Sequence, residues 1–536
     1  MRTEVPASHY DVVIIGAGIA GSALAYALSS RSTDTTHSNQ YGSKPRKLRV
    51  ALIERSLSKP DRIVGELLQP GGIIALRELG LEVCLEGIGA IPVRGYCVAE
   101  GERQVRVPYP DGFEGRSFHH GEFVMTLRDK AIGADGVDVI EAVVTELIEE
   151  SESGRIAGVR YRTREASNAT STHELHAKVV IVADGSASKF RKQVLQPAYA
   201  AKVEPRLISH FVGLVLEGAE LPVAQHGTVV FVSGHGPVLL YQISERCTRM
   251  LIDVKEPLPA DMKSHILTEI VPQLPPSLRL PATCAVHSDR LRRMPYPFLT
   301  AINQNSYHTK PGAILLGDAW NTRHPLTGGG MTVALNDVVL LRDMLNKVDD
   351  LGDWTAMEAG LSRWYWQRKP RSSTINMLSL VLYELFGAAD EELSIMRLGC
   401  FKYFELGGEY VRGTISLLAG ISSSPFQLFR HFFGVAMYAI LVLFQSTPSP
   451  SSPRYHHTIT HQPAMNVALS TLVHYMSLLT KSVRVIWKTC AIFFPLLWDE
   501  IRWWIPSKSS VQSPARWGGA MLVAIVILSL GAIICK

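Results

Sequence analysis

Residues 11–21 read DVVIIGAGIAG, an apolar run followed by three glycines at the spacing Gly16-x-Gly18-x-x-Gly21. An apolar run of this length is typical of a buried β-strand, and the alanines that follow Gly21 favour a closely packed helix. The glycines of such a turn permit a tight bend and the close approach of a pyrophosphate, whose charge the helix N-terminus stabilises. The motif therefore predicts a dinucleotide-binding βα unit.

Three further apolar runs end in the same manner, in glycine or an acidic residue. Continuous apolar runs are typical of parallel strands that are covered on both faces, and such sheets bind ligands beyond the carboxyl ends of their strands. We therefore predict an α/β fold in which these motifs lie together at the ligand-binding edge of the sheet. The runs are Arg49–Ile53 before Glu54, Lys178–Ala183 before Asp184-Gly185, and Ala313–Leu316 before Gly317-Asp318.

Each of these motifs offers a group that suits a flavin dinucleotide. Glu54 can accept hydrogen bonds from ribose hydroxyls, and its charge disfavours a 2′-phosphate, so the sequence favours FAD or NAD over NADP. It lies 38 residues after Gly16 because a polar insertion, residues 29–47, interrupts the unit. Asp318 can bind a ribityl hydroxyl. The glycine run that includes Gly329 opens a helix whose amides can stabilise a flavin ring, and Pro325 and Leu326 would wall its reactive face.

Composition excludes several other classes of protein. The chain has 536 residues, of which 46% are hydrophobic and 19% charged, so most of it is expected to fold. Its net charge of +5 is too small to indicate a nucleic-acid partner. The seven cysteines lack metal-ligand spacing, and we predict no metal site and a reducing compartment.

The C-terminal region predicts contact with a membrane. Trp517–Cys535 is a 19-residue stretch without charge, which is long enough for a membrane tail. A buried terminal helix is the alternative interpretation. Phe432–Phe444 is a 13-residue apolar run that favours an interfacial or buried helix. Ala468–Ile505 mixes tryptophans with basic residues, which suits the lipid headgroup layer or a packed amphipathic helix pair.

The chain is expected to divide into a Rossmann-like FAD-binding domain, a β-sheet substrate domain and a helical, membrane-associated C-terminus. The expected ranges are 8–200 for the first part of the FAD domain, 201–295 for the substrate domain, 296–360 for the second part of the FAD domain, 361–445 for a helical region, 446–465 for a linker and 466–536 for membrane-associated helices with the tail 517–535.

Several longer segments resemble squalene epoxidases (squalene monooxygenases), and the resemblance extends over about residues 8–445. They are RIVGELLQPGG (62–72), SFHHG (117–121), LLYQI (239–243), GDAWNTRHPLTGGGMT (317–332) and YELF (383–386). The resemblance implies a flavoenzyme of the endoplasmic reticulum membrane whose catalytic domain faces the cytosol. It implies conversion of squalene and O₂ to (S)-2,3-oxidosqualene through a flavin hydroperoxide, as a step of sterol synthesis. Electrons would come from NADPH through a separate diflavin reductase.

The resemblance also assigns residues to the site. Tyr96 corresponds to a tyrosine of the active-site wall and is the candidate catalytic residue. Cofactor contacts implied by position are Ile19, Ala20, Glu54, Arg55, Arg62, Arg128, Val144, Asp318 and Met331, beside Gly16, Gly18, Gly21, Asp184 and Gly329 from the motifs.

A hydrocarbon substrate has no polar handle, so its binding must come from buried apolar area. We expect the apolar strands of Leu207–Asp253 to roof a cavity beside the flavin, with Leu240, Tyr241, Pro325 and Leu326 as substrate contacts. The pair His119-His120 is interpreted as structural. A flavin-dependent prenyl-chain reductase and a non-enzymatic prenyl-binding escort remain the alternatives.

Overall fold

The computed structural model describes residues 9–29, 48–164, 170–200, 203–288, 291–446 and 464–501. The predicted insertion after Ser29, most of the predicted linker and the predicted tail 517–535 lie outside the described residues. The strands are β1 (His9–Ile15), β2 (Val50–Glu54), β3 (Leu67–Leu68), β4 (Ile91–Val93), β5 (Gly95–Glu100), β6 (Arg103–Pro108), β7 (Gly115–Ser117), β8 (Val137–Glu141), β9 (Val143–Glu149), β10 (Ile156–Arg164), β11 (Thr170–Val182), β12 (Arg206–Glu217), β13 (Gly227–Val230), β14 (Val238–Gln242), β15 (Cys247–Val254), β16 (Arg292–Phe298) and β17 (Ala313–Leu315).

Thirteen α-helices occur in the described residues, together with short 3₁₀ turns, two of which belong to the site described below. The helices are α1 (Ile19–Ser29), α2 (Pro70–Glu78), α3 (His120–Ile132), α4 (Arg191–Val194), α5 (Pro197–Ala200), α6 (Met262–His265), α7 (Pro276–Ser288), α8 (Gly330–Leu345), α9 (Trp354–Gly387), α10 (Glu391–Glu405), α11 (Gly408–Leu418), α12 (Pro425–Ser446) and α13 (Ala464–Ile501).

The first sheet has the order β8-β2-β1-β11-β10-β9, and β17 pairs with β11. The strands β8, β2, β1, β11 and β17 run parallel, whereas β9 and β10 pair antiparallel. The apolar faces of β1 and β2 are almost fully buried, and the small side chains of α1 allow that helix to pack closely on them. The predicted parallel sheet is confirmed, and its four sequence motifs emerge at one edge.

The second sheet, of order β16-β12-β15-β14-β13-β5-β6, carries an apolar cluster on each face. The helices α6 and α7 cover one face, and α9 to α12 cover the other. Two of its strands, β5 and β6, come from within residues 8–200, so the expected boundary at residue 201 does not separate the two sheets. The chain crosses between the sheets before the expected substrate domain begins.

The C-terminal helices differ from the sequence expectation in length. The apolar run Phe432–Phe444 lies inside the 22-residue helix α12, and Ala468–Ile505 lies mainly on the single 38-residue helix α13, not on a helix pair. Among the described residues, Pro425–Gln445 is the segment whose length and apolarity suffice to cross a bilayer, and 39% of an 18-residue apolar window within it is buried in the protein.

Candidate active site

The glycine turn between β1 and α1 meets two different requirements. Gly16 has φ of +103°, and a Cβ atom there would lie 2.6 Å from the carbonyl oxygen of Ala183. A Cβ at Gly21 would lie 1.9 Å from the carbonyl oxygen of Gly16. A Cβ at Gly18 would meet no atom of the described chain within 4 Å. Gly16 and Gly21 are therefore required by the protein itself, whereas Gly18 leaves space for a ligand.

Two charged side chains hold this turn against the end of β2. The Ala17 amide donates to Glu54 Oε2 at 2.7 Å, and Arg128 Nε donates to the Ala17 carbonyl at 2.8 Å. Arg128 is buried on α3 and lies 3.6 Å from Glu54. The sequence motifs predict Glu54 at this position, but Arg128 was identified only through the family resemblance.

The second and third motifs meet across the ends of β11 and β17. Arg191 donates to the carbonyls of Ala319 at 2.6 Å, Ser186 at 2.9 Å and Asp318 at 3.2 Å, and so joins the two turns. Asp184 Oδ1 is buried and has no hydrogen-bond partner within the described chain. Asp318 presents accessible surface at the edge, yet enough protein surrounds it that burial raises the pKa of its carboxyl.

The loop before α8 completes this edge. Pro325–Thr327 forms a 3₁₀ turn, and Gly328 follows it with φ of +60°, a conformation that favours glycine. Gly330 begins α8, and a Cβ atom there would meet nothing within 4 Å among the described residues. The first amides of a 16-residue helix lack internal partners and are available to an electron-rich ring or an anion.

These observations fit a flavin dinucleotide. The open positions at Gly18 and Gly330 lie at the N-termini of two helices, which suit the pyrophosphate and the flavin ring. The unpaired oxygen of Asp184 and the accessible carboxyl of Asp318 are acceptors that ribose or ribityl hydroxyls can satisfy.

The remaining predicted cofactor contacts differ in exposure. Ile19 and Ala20 are half-buried at the start of α1, and Val144 is half-buried in β9. Met331 is buried in the core of the first sheet's layer, beside Gly329. Arg55 and Arg62 are both exposed, and the charge of Arg62 lowers the pKa of Asp318 against the effect of burial.

Tyr96 belongs to a hydrogen-bonded group that reaches the loop of residues 325–329 before α8, the expected flavin-side loop. Gln69 Nε2 donates to the Tyr96 hydroxyl at 2.6 Å and to the Thr327 carbonyl at 2.7 Å. Gln69 Oε1 accepts from the Tyr109 hydroxyl at 2.5 Å. Burial raises the pKa of Tyr96 to about 12, so its phenol keeps its proton near neutral pH. Sequence reasoning missed Gln69 and Tyr109 as site residues: Gln69 lies within the quoted segment 62–72 but was given no role, and Tyr109 lies in none of the quoted segments.

Three further polar contacts involve Gly65 and Glu66, which precede Gln69 in the chain. His120 Nδ1 lies 3.0 Å from the Gly65 carbonyl, and burial lowers the pKa of His120 to about 4, so its imidazole is neutral near neutral pH. Its structural role stays a prediction. Arg249 forms a buried double contact with Glu66, at 2.7 and 2.9 Å. The Tyr241 hydroxyl donates to Glu66 at 3.4 Å.

An apolar cavity lies between the second sheet and the helices α9 to α12. The space enclosed by its lining, including the open mouth, is about 840 Å³. The lining residues are Tyr96, Val98, Val107, Val229, Leu326, Leu378, Val381, Leu382, Leu385, Phe386, Cys400, Phe404, Thr414, Ile415, Leu417, Leu418, Leu428, His431, Phe432 and Val435.

The cavity changes the expected set of substrate contacts. Leu326 lines it, and Pro325 is half-buried in the adjoining turn. Leu240 does not line this cavity, because side chains alternate along β14 and Leu240 packs in the cluster on the side of α6 and α7. Tyr241 faces the cavity side but packs beside Glu66, behind the lining.

The expected strand roof contributes little to this lining. Within Leu207–Asp253 only Val229 lines the cavity, whereas the helices α9 to α12 contribute most of its wall. The sequence signal that could have revealed this wall is the helical spacing of apolar residues in 378–386 and 414–418.

Comparison with known proteins places these features in a family. The family model for squalene epoxidase matches residues 176–455. A squalene monooxygenase of Mus musculus is 40% identical over 501 residues, covering 92% of this chain and 78% of that protein. The squalene epoxidase erg1 of Aspergillus fumigatus is 41% identical over 510 residues, covering 92% of this chain and 94% of that protein.

A similar fold occurs in a solved structure of lower sequence identity. The structure of pqsL, described as a probable FAD-dependent monooxygenase from Pseudomonas aeruginosa, superposes with a TM-score of 0.56 at 23% identity. It covers 72% of this chain and 98% of that one. This likeness shows the mixed α/β fold of FAD-dependent monooxygenases.

Proposed function

The chain belongs to the squalene epoxidase family, and from this premise we propose that it is an FAD-dependent monooxygenase that converts squalene to (S)-2,3-oxidosqualene. One atom of O₂ enters a terminal double bond, and the other leaves as water after two electrons and two protons are consumed. The observation that carries this proposal is the placement of Leu326. That residue lines the apolar cavity and belongs to the loop that opens α8 at the dinucleotide-binding edge.

The edge of the first sheet holds the cofactor in this proposal. Bound FAD supplies the activated oxygen atom, and the chain supplies placement and a dry surrounding. The glycine turn admits the pyrophosphate, Glu54 and Asp184 accept from sugar hydroxyls, and Asp318 accepts from the ribityl chain. Arg128 acts on the turn through the Ala17 carbonyl.

At the end of the cavity next to the loop before α8, the lining residues exclude water and hold that loop in place. Leu326 and Pro325 present apolar surface, and Tyr96 closes the wall opposite with a phenol that stays protonated. Gln69 joins Tyr96 to the Thr327 carbonyl and so ties the cavity wall to the flavin-side loop. Tyr96 contacts the substrate in this proposal but transfers no proton.

The wall of the cavity explains selectivity for a hydrocarbon. Nearly all of its side chains are apolar, with the few polar ones at Tyr96, Thr414 and His431. Burial of apolar area contributes roughly 25 cal/mol per Å², which suffices for a long alkene chain without polar contacts. A polar chain of the same length would lose its hydration at this wall without regaining hydrogen bonds.

An exposed apolar surface supports attachment to a lipid membrane. On α13 the side chains of Leu472, Val473, Met476 and Leu479 are exposed at helical spacing, and the stripe continues at Val483. The helix α12 presents Met437 and Leu441 outward while its opposite side lines the cavity. Squalene dissolved in lipid can therefore enter past α12.

Three basic residues of α13, which were expected to suit the lipid headgroup layer or a packed helix, have acidic protein partners. They pair with the acidic start of α10, as Lys481–Glu391 at 2.6 Å, Lys488–Asp390 at 2.6 Å and Arg484–Glu392 at 4.0 Å. In this proposal the membrane is that of the endoplasmic reticulum and the catalytic part faces the cytosol. A separate NADPH-dependent diflavin reductase delivers the electrons, as the family resemblance implies.

Product analysis tests the proposal. The purified full chain is supplied with squalene, NADPH, a diflavin reductase and ¹⁸O₂, and the products are identified by mass spectrometry. The expected product is an epoxide with one labelled oxygen atom. A product that gains hydrogen would favour the prenyl-chain reductase, and a colourless protein that binds squalene unchanged would favour the escort.

A further inference from the structure

A buried carboxylate on the C-terminal helix has no role in the site described so far. Glu500, in the last turn of α13, is only 4% exposed. It accepts hydrogen bonds from Lys369 Nζ at 2.6 Å, Ser373 Oγ at 2.8 Å and Asn376 Nδ2 at 2.9 Å. The spacing of these three donors places them on one face of α9. The helix α13 is therefore joined to α9 by a charged contact as well as by apolar packing.

The far side of Asn376 leads to the flavin-side loop. Asn376 Oδ1 accepts from Arg323 Nε at 2.8 Å, and Arg323 Nη1 donates to the Gly329 carbonyl at 3.3 Å. Gly329 directly precedes the first residue of α8. The side chains of Asn376 and Arg323 thus connect Glu500 with the Gly329 carbonyl. Gly329 lies just before the helix amides that are proposed to face the flavin.

Glu500 also contributes to the charge balance around this connection. Three cations, Arg323, Arg368 and Lys369, lie close together, and Asp337 is engaged by Arg368 through contacts of 2.8 and 2.9 Å. Burial and the nearby charge of Arg368 together lower the pKa of Arg323 to about 10, although the charges of Asp318, Asp337 and Glu500 act in the opposite direction. Without Glu500, Arg323 would be left with Asp318 and Asp337 as the remaining acids.

We propose that Glu500 is a positioning residue through which the C-terminal helix holds the flavin-side loop, so that FAD affinity depends on the seating of α13. This inference rests on the proposed function, because it takes the loop before α8 as part of the FAD site. Loss of the carboxylate leaves Lys369 without its ion-pair partner in a buried place and removes one of the acids near Arg323. Arg323 then turns toward Asp318, which occupies the acceptor assigned to the ribityl chain.

The test is the isosteric change Glu500→Gln in the full chain, purified in detergent and stripped of flavin. FAD binding is followed by the change in flavin fluorescence on titration. The dissociation constant is expected to rise at least about tenfold, whereas partition onto phosphatidylcholine vesicles stays at the wild-type level. The matched control is Val483→Ser on the exposed stripe of α13, which is expected to weaken vesicle binding and leave FAD affinity unchanged.

A second variant keeps the inference testable if Glu500→Gln does not fold. Asn376→Ser interrupts the connection but leaves the Glu500–Lys369 contact, and it is expected to weaken FAD binding in the same direction. The double variant is expected to be no weaker than the worse single variant, because both changes break one chain of contacts. A purely structural role would lower the unfolding temperature and leave the FAD dissociation constant unchanged.

The outcomes separate this inference from the function on which it rests. A wild-type chain that does not bind FAD would contradict the proposed function. A wild-type chain that binds FAD, with Asn376→Ser and any folded Glu500→Gln protein at wild-type affinity, would overturn the role of Glu500 alone. Additive losses in the double variant would overturn the connection through Asn376.

Discussion

The dinucleotide-binding edge and the apolar cavity lie side by side but recognise ligands through different parts of the chain. At the edge, backbone conformation and the lack of a side chain matter, as at Gly16 and Gly18. In the cavity, what matters is the bulk and apolarity of side chains from strands of the second sheet and from the helices α9 to α12. Single-atom changes should therefore be severe at the edge, while the cavity should respond in proportion to the volume that is changed.

The largest effect is expected from Gly18→Ala. The added methyl group meets no described atom of the chain, so the apoprotein should keep its unfolding temperature. It would occupy the space assigned to the pyrophosphate, and overpacking there should weaken FAD binding by about 100-fold. Flavin titration and thermal unfolding of the apoprotein measure the two quantities.

Gly21→Ala provides the contrast within the same turn. Its Cβ would clash with the Gly16 carbonyl at 1.9 Å, so both stability and FAD binding should fall. Stoichiometric FAD in the Gly18→Ala protein would show that the open space is not where the dinucleotide lies.

The next effect is on the pH dependence of folding stability, through the buried side chain of His120. His120 has a folded pKa of about 4 against an ordinary value of 6.5, so between these pH values the unfolded chain binds a proton that the folded chain does not. Stability should therefore fall as pH falls from 6.5 to 4, by about 3 kcal/mol from this group. Urea unfolding across this range measures it.

The variant His120→Asn should remove this part of the pH dependence. His119→Asn is the matched control, because His119 is the exposed neighbour and its replacement should leave the slope unchanged. Equal slopes for wild type and His120→Asn would mean that another group governs the loss of stability in acid.

The contrast between the two regions also explains what the sequence could predict. The edge is built from short motifs, each made of a strand, a glycine or acid and a helix start, so Glu54, Asp184 and Asp318 could be placed before the fold was known. The local chain determines these turns through steric limits on the backbone. The parallel sheet followed from the same motifs.

The cavity could not be predicted in this way because its residues meet only through tertiary packing. Val98 of β5, Leu385 of α9 and Val435 of α12 are far apart in sequence, and each one alone looks like an ordinary core residue. Leu240 and Tyr241 are adjacent and equally apolar in context, yet strand alternation places them on opposite faces. The resemblance of residues 239–243 to the family therefore does not show which side chains of β14 face the cavity.

A smaller effect is expected from Val435→Phe, which adds bulk to the cavity wall on α12. The added ring should displace part of the substrate and raise KM for squalene about tenfold, within the range of overpacking costs. FAD content should stay unchanged, because the edge is not involved. Steady-state kinetics with reductase, together with the flavin absorbance, measure both.

Met437→Phe is the control on the outward side of the same helix, where the side chain is 55% exposed. It should leave KM unchanged in detergent. An unchanged KM in the Val435→Phe protein would mean that the substrate does not occupy this cavity.

The smallest effect is expected from Tyr96→Phe, where the two regions meet. The phenyl ring keeps the apolar wall, and Gln69 keeps its contacts with Thr327 and Tyr109, so the loop stays held. One amide hydrogen of Gln69 loses its acceptor, which costs about 1 kcal/mol, or roughly a fivefold loss of kcat/KM. Flavin content and the pH profile from 6 to 9 should match wild type. A loss of three orders of magnitude with FAD still bound would instead show that the phenol takes part in the chemistry, which its pKa of about 12 argues against.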